Sequence, residues 1–153
     1  MIESNKYALQ SALHSCTSSS VYGYYPTCDR GGCGGNSFKI STTMMCPSSS
    51  CTIDTSKPFL IVHTQHVDSA GVLDYVNIQM SQGSNSANFN VCNSNSYVNS
   101  MGSSMNGQMV FVASLWGGVG TSMSWLDGVT GCAENCNLGS SSVRFSNFAI
   151  ENQ

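Results

Sequence analysis

Eight cysteines are the feature that most restricts how this 153-residue chain can fold. An even number of cysteines in a charge-poor domain favours disulfide bonds and an oxidising compartment. A zinc site is the alternative, but the spacings form no pair of CxxC motifs and no histidine lies at zinc-finger spacing. We therefore expect disulfide bonds. The cysteines are Cys16, Cys28, Cys33, Cys46, Cys51, Cys92, Cys132 and Cys136.

The low charge of the chain restricts its partners. Charged residues make up only 8% of the sequence and the formal net charge is -3, so Ser, Asn, Gly and Thr carry most of the polarity. Nucleic acids and acidic membranes require clustered Lys and Arg, which argues against both as partners. No apolar run approaches the roughly 18 residues of a membrane-spanning helix. A surface of hydroxyls and amides suits a secreted protein that binds a neutral ligand such as a polysaccharide.

Short stretches of β-branched or alternating residues, separated by turn residues, predict an all-β sandwich in a single domain. Pro58–Val67 and Val72–Met80 flank an Asp-Ser-Ala-Gly turn and predict an antiparallel hairpin. The sequence CPSSSC, from Cys46 to Cys51, predicts a tight loop closed by its own disulfide. The first fifteen residues predict a strand end followed by a loop or a helical turn. Further strands are predicted from about Ser37, at Phe89–Cys92 within a long Ser- and Asn-rich loop over 81–104, and at Ser142–Ile150.

The segment Gly107–Asp127, GQMVFVASLWGGVGTSMSWLD, contains both tryptophans of the chain. Its continuous apolar run predicts a buried strand, and the glycine-rich bend predicts a return into a second short strand that ends at Asp127. Trp116 and Trp125 would then lie on adjacent strands. Two flat aromatic faces form a surface on which a sugar ring can stack. The alternative is that both tryptophans are core residues.

Several segments in consistent order resemble the C-terminal half of glycoside hydrolase family 7, the fungal-type cellobiohydrolases and endoglucanases. They are TCDRGGC, NSFKI, IDTSKPFLIVHTQ, MVFVASLW, MSWLD and SSVRFSNFAI, which together extend over nearly the whole chain. The resemblance implies a concanavalin-like β-jelly-roll sandwich, of which this chain would form about half. It also implies a concave sheet that binds a β-1,4-glucan or cello-oligosaccharide, without metal or cofactor.

The family's catalytic strand has the pattern E-x-D-x-x-E, followed by A/S-N and then by H-x-C. Glu3, Asn5, His14 and Cys16 match the end of this pattern. The resemblance therefore implies that Glu3 is the general acid/base of a retaining glycosidase, and that Asn5 and His14 belong to the substrate site. The nucleophile would fall before Met1. We therefore expect residues 1–153 to be the C-terminal part of one catalytic domain, inactive alone, from a secreted and monomeric protein whose signal peptide is not in this sequence.

The resemblance also implies roles for the tryptophans and pairings for the cysteines. Trp116 and Trp125 correspond to the family's sugar-stacking tryptophans on either side of the cleavage point. The expected disulfides are Cys16–Cys28, Cys33–Cys92, Cys46–Cys51 and Cys132–Cys136, whereas His63 and His66 match no functional position and are expected to be ordinary strand histidines. The loop after Cys33 is short, which favours an open cleft and endo-action.

Two other classes of function stay open from the sequence. Tryptophan surfaces bind sugar without a nucleophile, so the chain is alternatively a non-catalytic β-glucan-binding module. A cysteine-linked structural protein of a cell wall or extracellular matrix is the third possibility, and it would have no affinity for cello-oligosaccharides.

Overall fold

A computed structural model of the protein describes residues 1–15, 29, 31–102, 115, 124–128, 142–144 and 146. Within these residues the chain is mainly β, with strands in small, mostly antiparallel sheets and three short helices. The strands are β1 (Ile2–Ser4), β2 (Leu9–Leu13), β3 (Cys33–Asn36), β4 (Met45–Cys46), β5 (Ile53–Asp54), β6 (Leu60–Val67), β7 (Leu73–Gln82) and β8 (Asn85–Asn90); the helices are α1 (Ser37–Ile40), α2 (Asn95–Ser100) and α3 (Ser124–Asp127).

The N-terminal residues form two strands, where the sequence predicted one strand end and then a loop or helical turn. β1, β2 and β3 form an antiparallel sheet in that order. Asn5 reverses the chain between β1 and β2, because its Oδ1 accepts hydrogen bonds from the backbone N–H groups of Tyr7 and Ala8 at 2.8 and 3.0 Å. The sequence did not predict this hairpin because a single residue, Asn5, specifies its turn.

The strand predicted from Ser37 is wrong, since Ser37–Ile40 forms the one-turn helix α1. Asn36 caps this helix, and its Oδ1 accepts a hydrogen bond from the backbone N–H of Lys39 at 3.1 Å. The alternation of Phe38 and Ile40 suggested a strand, but Ile40 is 55% exposed and does not enter the core.

The loop predicted between Cys46 and Cys51 is confirmed, because the two cysteines form a disulfide. This loop connects β4 to β5, which pair in parallel. Gln82 holds the far side of the pair: its Oε1 accepts from the backbone N–H of Asp54, and its Nε2 donates to the backbone carbonyl of the same residue, both at 2.9 Å. A side-chain amide thus completes the hydrogen bonding of β5.

The hairpin predicted from the β-branched segments is confirmed. β6 pairs antiparallel with β7, and Asp68 shapes the connecting turn by accepting hydrogen bonds from the backbone N–H groups of Ala70 and Val72 at 2.8 and 2.9 Å. His63 and His66 lie on β6, as expected, and the ring of His66 stacks on that of Tyr75 at a centroid distance of 3.9 Å.

The long loop predicted over residues 81–104 is wrong. β7 continues to Gln82, turns at Gly83 with a φ of 59°, and returns as β8, which also starts before the predicted Phe89–Cys92 strand. Alternation is present in β8, but only Ala87 and Phe89 are apolar on the inner face, so Ser and Asn conceal the pattern. Helix α2 follows and packs against β7 with Val98 buried.

The core lies between the first and third sheets. The disulfide Cys33–Cys92 connects β3 to the residues after β8, and it confirms a second predicted pairing. The buried residues of this core are Leu9, Leu13, Met45, Ile53, Leu73, Val76, Ile78, Met80, Phe89, Val91, Cys92 and Val98. The buried side chains and the disulfide together hold β3 against β8.

The strand predicted to end at Asp127 is wrong, because Ser124–Asp127 forms the one-turn helix α3. Gly128, with a φ of 74°, donates its N–H to the carbonyl of Ser124 at 3.0 Å and ends the helix. Elsewhere in Gly107–Asp127 the structure describes only Leu115, which is not in a strand and is 46% exposed. In the predicted Ser142–Ile150 strand, residues 142–144 and 146 are described and none is in a strand.

Candidate functional site

A row of polar side chains crosses one face of the first sheet. Register places Glu3 opposite Gln10, and Gln10 opposite Asn36. Residues directly opposite one another in a sheet share a face, so the three side chains form one line across β1, β2 and β3. Asn36 Nδ2 donates to Gln10 Oε1 at 3.0 Å. We call this surface the polar face.

Glu3 lies half-buried on the polar face. Within the described part of the chain its carboxylate has no hydrogen-bond partner. Its neighbours Ile2 and Ser4 point to the other side of β1 and are exposed. A half-buried carboxyl group on this face can give a proton to, or take one from, a ligand that lies on it.

Helix α3, which carries Trp125, is held against the first sheet by two hydrogen bonds. Asn5 follows β1, and its Nδ2 donates to Asp127 Oδ2 at 2.8 Å. Asn36 Nδ2 donates to the carbonyl of Leu126 at 2.9 Å. Two amide side chains of the sheet thus hold the helix at its last two residues. Trp125 is half-buried in the same helical turn. The helix thus meets Asn5 despite the 122-residue separation of Asn5 and Asp127.

A cleft of about 390 Å³ continues from the polar face along β2 and β3. Amide side chains from two sheets enclose it, with glycines between them, and Lys39 is the one charged residue among the described residues of the lining. The lining residues are Gln10, Ala12, Gly31, Gly32, Gly34, Gly35, Asn36, Lys39, Ile40, Asn90 and Asn93. Each amide offers both donors and an acceptor, so this lining is suited to a neutral ligand with many hydroxyl groups.

His14 lies just beyond β2, beside the glycines of the cleft. Its Nδ1 donates to the backbone carbonyl of Asp29 at 2.9 Å, because a carbonyl oxygen can only accept. The neutral ring therefore has its acceptor lone pair on Nε2, which is buried and has no partner among the described residues. Gly32 lies against this ring: a Cβ added there would be 2.7 Å from Cε1 of His14.

Asp29 and Tyr97 complete the group around His14. Asp29 Oδ1 accepts from the backbone N–H groups of Gly31 and Gly32 at 3.0 and 3.1 Å, and the Tyr97 hydroxyl donates to Asp29 Oδ2 at 3.1 Å. The Gly32 N–H, followed by the Tyr97 hydroxyl, holds the pKa of Asp29 below its ordinary value of 3.8. The ionised carboxylate thus fixes the turn that packs against His14.

The structure brings some of the predicted site residues together and leaves others outside the described residues. Glu3 lies on the polar face, and Asn5 contacts Asp127 of the helix that carries Trp125, whereas His14 lies at the opposite end of β2. Trp116 lies outside the described part. Of the predicted disulfides, Cys33–Cys92 and Cys46–Cys51 are present. The other four cysteines, Cys16, Cys28, Cys132 and Cys136, lie outside the described residues.

Sequence reasoning missed four residues of this neighbourhood: Gln10, Asn36, Tyr97 and Asp127. Asn36 could have been identified from the sequence, because asparagine is a common residue at the position before the first residue of a helix. Gln10 and Tyr97 carry no motif, and their roles follow from strand register and from the packing of α2. Asp127 was assigned to a strand, so its contact with Asn5 had no basis in the sequence.

In the part of the chain that the structure describes, no cluster of three or more His, Cys, Asp or Glu side chains could hold a metal ion. None of the helices there is long and apolar enough to cross a membrane. No family model matches the sequence, and no curated protein matches it either.

Proposed function

We propose that the polar face and its cleft bind a β-1,4-glucan, and that Glu3 is the acid/base of a retaining glycoside hydrolase similar to family 7. The observation that carries the proposal is that a half-buried carboxyl group, which has no hydrogen-bond partner among the described residues, shares one face with Asn36, whose side chain holds the helix that carries Trp125. The amide-lined cleft adjoins this face. The whole fold proposed with it is a concanavalin-like jelly-roll sandwich, to which the described sheets contribute.

Sugar recognition is supported by the chemistry of the lining. A cello-oligosaccharide presents neutral hydroxyl groups around its rim and apolar C–H surfaces on its ring faces. The amides of Gln10, Asn90 and Asn93 can hydrogen-bond the hydroxyl groups, and an indole such as Trp125 can stack on a ring face. The cleft volume of about 390 Å³ falls within the range of ligand sites, roughly 300–1,000 Å³.

The role proposed for Glu3 follows from the requirements of glycoside hydrolysis. In a retaining enzyme one carboxyl group protonates the leaving oxygen while a second carboxylate, about 5 Å away, attacks the anomeric carbon. The first group then removes a proton from the water that hydrolyses the covalent intermediate. We assign the first role to Glu3; in the pattern E-x-D-x-x-E the second carboxylate stands five residues before the acid/base, a position that residues 1–153 do not include.

A non-catalytic β-glucan-binding module is the second candidate. It is favoured by one observation, that the described residues lining the cleft include no carboxyl group. Such a protein would use the amides and the tryptophan for affinity and would not need Glu3 for chemistry.

The test compares wild type with Glu3→Gln, a variant that keeps the shape of the side chain and removes its acidity. Protein expressed from the complete reading frame is assayed for reducing-sugar release from carboxymethyl-cellulose and for cello-oligosaccharide binding. We expect Glu3→Gln to lower turnover by about 100-fold or more while affinity changes little. Binding without sugar release by wild type would establish the binding module instead. Absence of both binding and release would exclude both candidates.

A further inference from the structure

Asp127 is a carboxyl group with only part of its hydrogen-bonding capacity used. It is 1% exposed, at the end of α3. Its Oδ2 accepts from Asn5 Nδ2 at 2.8 Å, whereas Oδ1 is buried and has no partner among the described residues. Burying such a group destabilises a fold unless the geometry that it imposes is needed. Stability alone therefore does not explain an aspartate at this position.

Asn5 connects Asp127 to the end of β1. The Oδ1 of Asn5 is fully engaged by two backbone N–H groups of the turn, and its backbone N–H donates to the carbonyl of Ala8 at 3.0 Å. The side-chain amide can therefore move little relative to β1. Glu3 is two residues earlier, at the centre of β1, so it shares this short stretch of backbone with Asn5. A shift of Asp127 is thus transmitted to the backbone that carries Glu3.

The same bond also locates Trp125. Helix α3 has one turn, too short to be stable alone, so its position depends on contacts with the sheet. Asn36 holds the carbonyl of Leu126, and Asn5 holds the side chain of Asp127. These two bonds lie on the residues that directly follow Trp125, so they hold in place the helix backbone that carries the indole.

Resting on the proposed function, we propose that Asp127 is a positioning residue of the carbohydrate site. Its hydrogen bond with Asn5 fixes the distance and orientation between Glu3, the proposed acid, and Trp125, the proposed sugar-stacking group. Asp127 itself touches no substrate. A carboxylate oxygen is a stronger acceptor for the Asn5 amide than a neutral side-chain oxygen would be.

The reciprocal exchange of the two side chains provides a sharp test. In Asn5→Asp with Asp127→Asn, the new carboxylate at position 5 still accepts from the turn, and the new amide at position 127 donates to its other oxygen. Net charge, size and the number of hydrogen bonds stay the same. Asp127→Leu removes the acceptor, and Asp127→Asn keeps an acceptor oxygen. Each protein is measured for cellotetraose affinity, for the NMR resonance of the Glu3 backbone amide without ligand, and for thermal unfolding.

We expect Asp127→Leu to lower cellotetraose affinity about tenfold and to move the Glu3 resonance, with a melting temperature equal to or above that of wild type. The exchanged pair should bind within about twofold of wild type, and Asp127→Asn within about threefold. Wild-type affinity in Asp127→Leu would overturn the proposal. So would a loss of affinity that parallels a fall in melting temperature and is not restored by the exchange.

The two proposals fail in different ways. If wild type does not bind cellotetraose, the proposed function is wrong, and the ligand-free resonance still decides the link between Asp127 and Glu3. An unmoved Glu3 resonance in folded Asp127→Leu, or in Asp127→Asn if the leucine variant does not fold, would show that Asp127 does not position Glu3.

Discussion

In this protein, hydrogen bonds of asparagine and glutamine side chains connect the strands and helices, a role that ion pairs have in more highly charged proteins. Asn5 and Asn36 each use both ends of the amide, one to shape a turn or cap a helix and the other to hold α3. Gln82 satisfies both backbone groups of Asp54. These bonds are short-range and directional, so the position of the site depends on them and responds little to salt.

At the residue scale, Asp29 gives a prediction for the pH dependence of stability. Its folded-state pKa is lowered below 3.8, chiefly by the Gly32 N–H and then by the Tyr97 hydroxyl. The stabilising contribution is fully present above pH 3.8 and is lost as the pH falls through the folded-state pKa. We therefore expect Asp29→Asn to reduce the decline in unfolding free energy between pH 5 and about pH 2 in urea titrations.

Tyr97→Phe serves as the graded variant for this measurement, since it keeps the ring and removes one of the two main donors. Its acid-induced decline should lie between that of wild type and that of Asp29→Asn. Asp54, whose pKa is also lowered, first by the Ser56 hydroxyl and then by Lys57, contributes a similar decline that these variants leave intact. Equal declines in wild type and Asp29→Asn would contradict the assignment.

At the scale of elements, the close approach of β3 to β8 requires a glycine. A Cβ added to Gly35 would lie 2.5 Å from the backbone oxygen of Asn90 and 2.6 Å from Cδ2 of Phe89. The backbone cannot yield as a flexible side chain does. Gly35→Ala should therefore lower the free energy of unfolding by about 1–3 kcal/mol in urea denaturation.

Gly31→Ala is the matched control for this substitution. Its added Cβ would meet only Asp29 Oδ1, at 3.4 Å, an ordinary contact. We expect its stability to stay within about 0.5 kcal/mol of wild type. If the two alanine variants are equally stable, the packing of β3 on β8 is looser than the structure shows.

The two disulfides of the described residues should differ in their contribution to stability. Cys33–Cys92 closes a loop with a sequence separation of 59, and Cys46–Cys51 one with a separation of 5. Because a cross-link restricts the unfolded chain more when the loop is longer, we expect paired Cys→Ala substitutions to cost about 4 and about 2 kcal/mol, respectively. Equal losses in guanidinium unfolding would show that native-state contacts, not loop length, dominate.

Elements of the fold were predictable where the chain repeats its pattern over many residues. The β6–β7 hairpin has β-branched segments and an Asp-Ser-Ala-Gly turn, so local sequence was sufficient. Helices α1 and α3 have one turn each, and over four residues an apolar pair such as Phe38 and Ile40 fits a strand as well as a helix. The predicted start of strand β8 was too late in the sequence, because asparagine and serine occupy the outward positions of this strand.

At the scale of the whole molecule, the candidate site is assembled from segments far apart in sequence. Glu3 and Asn5 could be proposed from a short motif. The partners that give them a site, Gln10, Asn36 and Asp127, depend on strand register and on a contact between residues 5 and 127, which no local pattern encodes. The polar face lies on the side of the first sheet that points away from the core. It therefore presents Glu3 and the amide side chains on one surface.

The central claim is that this face binds a β-1,4-glucan, and an NMR titration of ¹⁵N-labelled protein with cellotetraose tests it most directly. We predict saturable chemical-shift changes that concentrate on the side-chain amides of Gln10, Asn36 and Asn90 and on the indole N–H of Trp125. A matched titration with maltotetraose, which has the same monomers in α-1,4 linkage, should give smaller changes. Unchanged spectra at millimolar cellotetraose, or changes confined to residues away from the polar face and its cleft, would contradict the account.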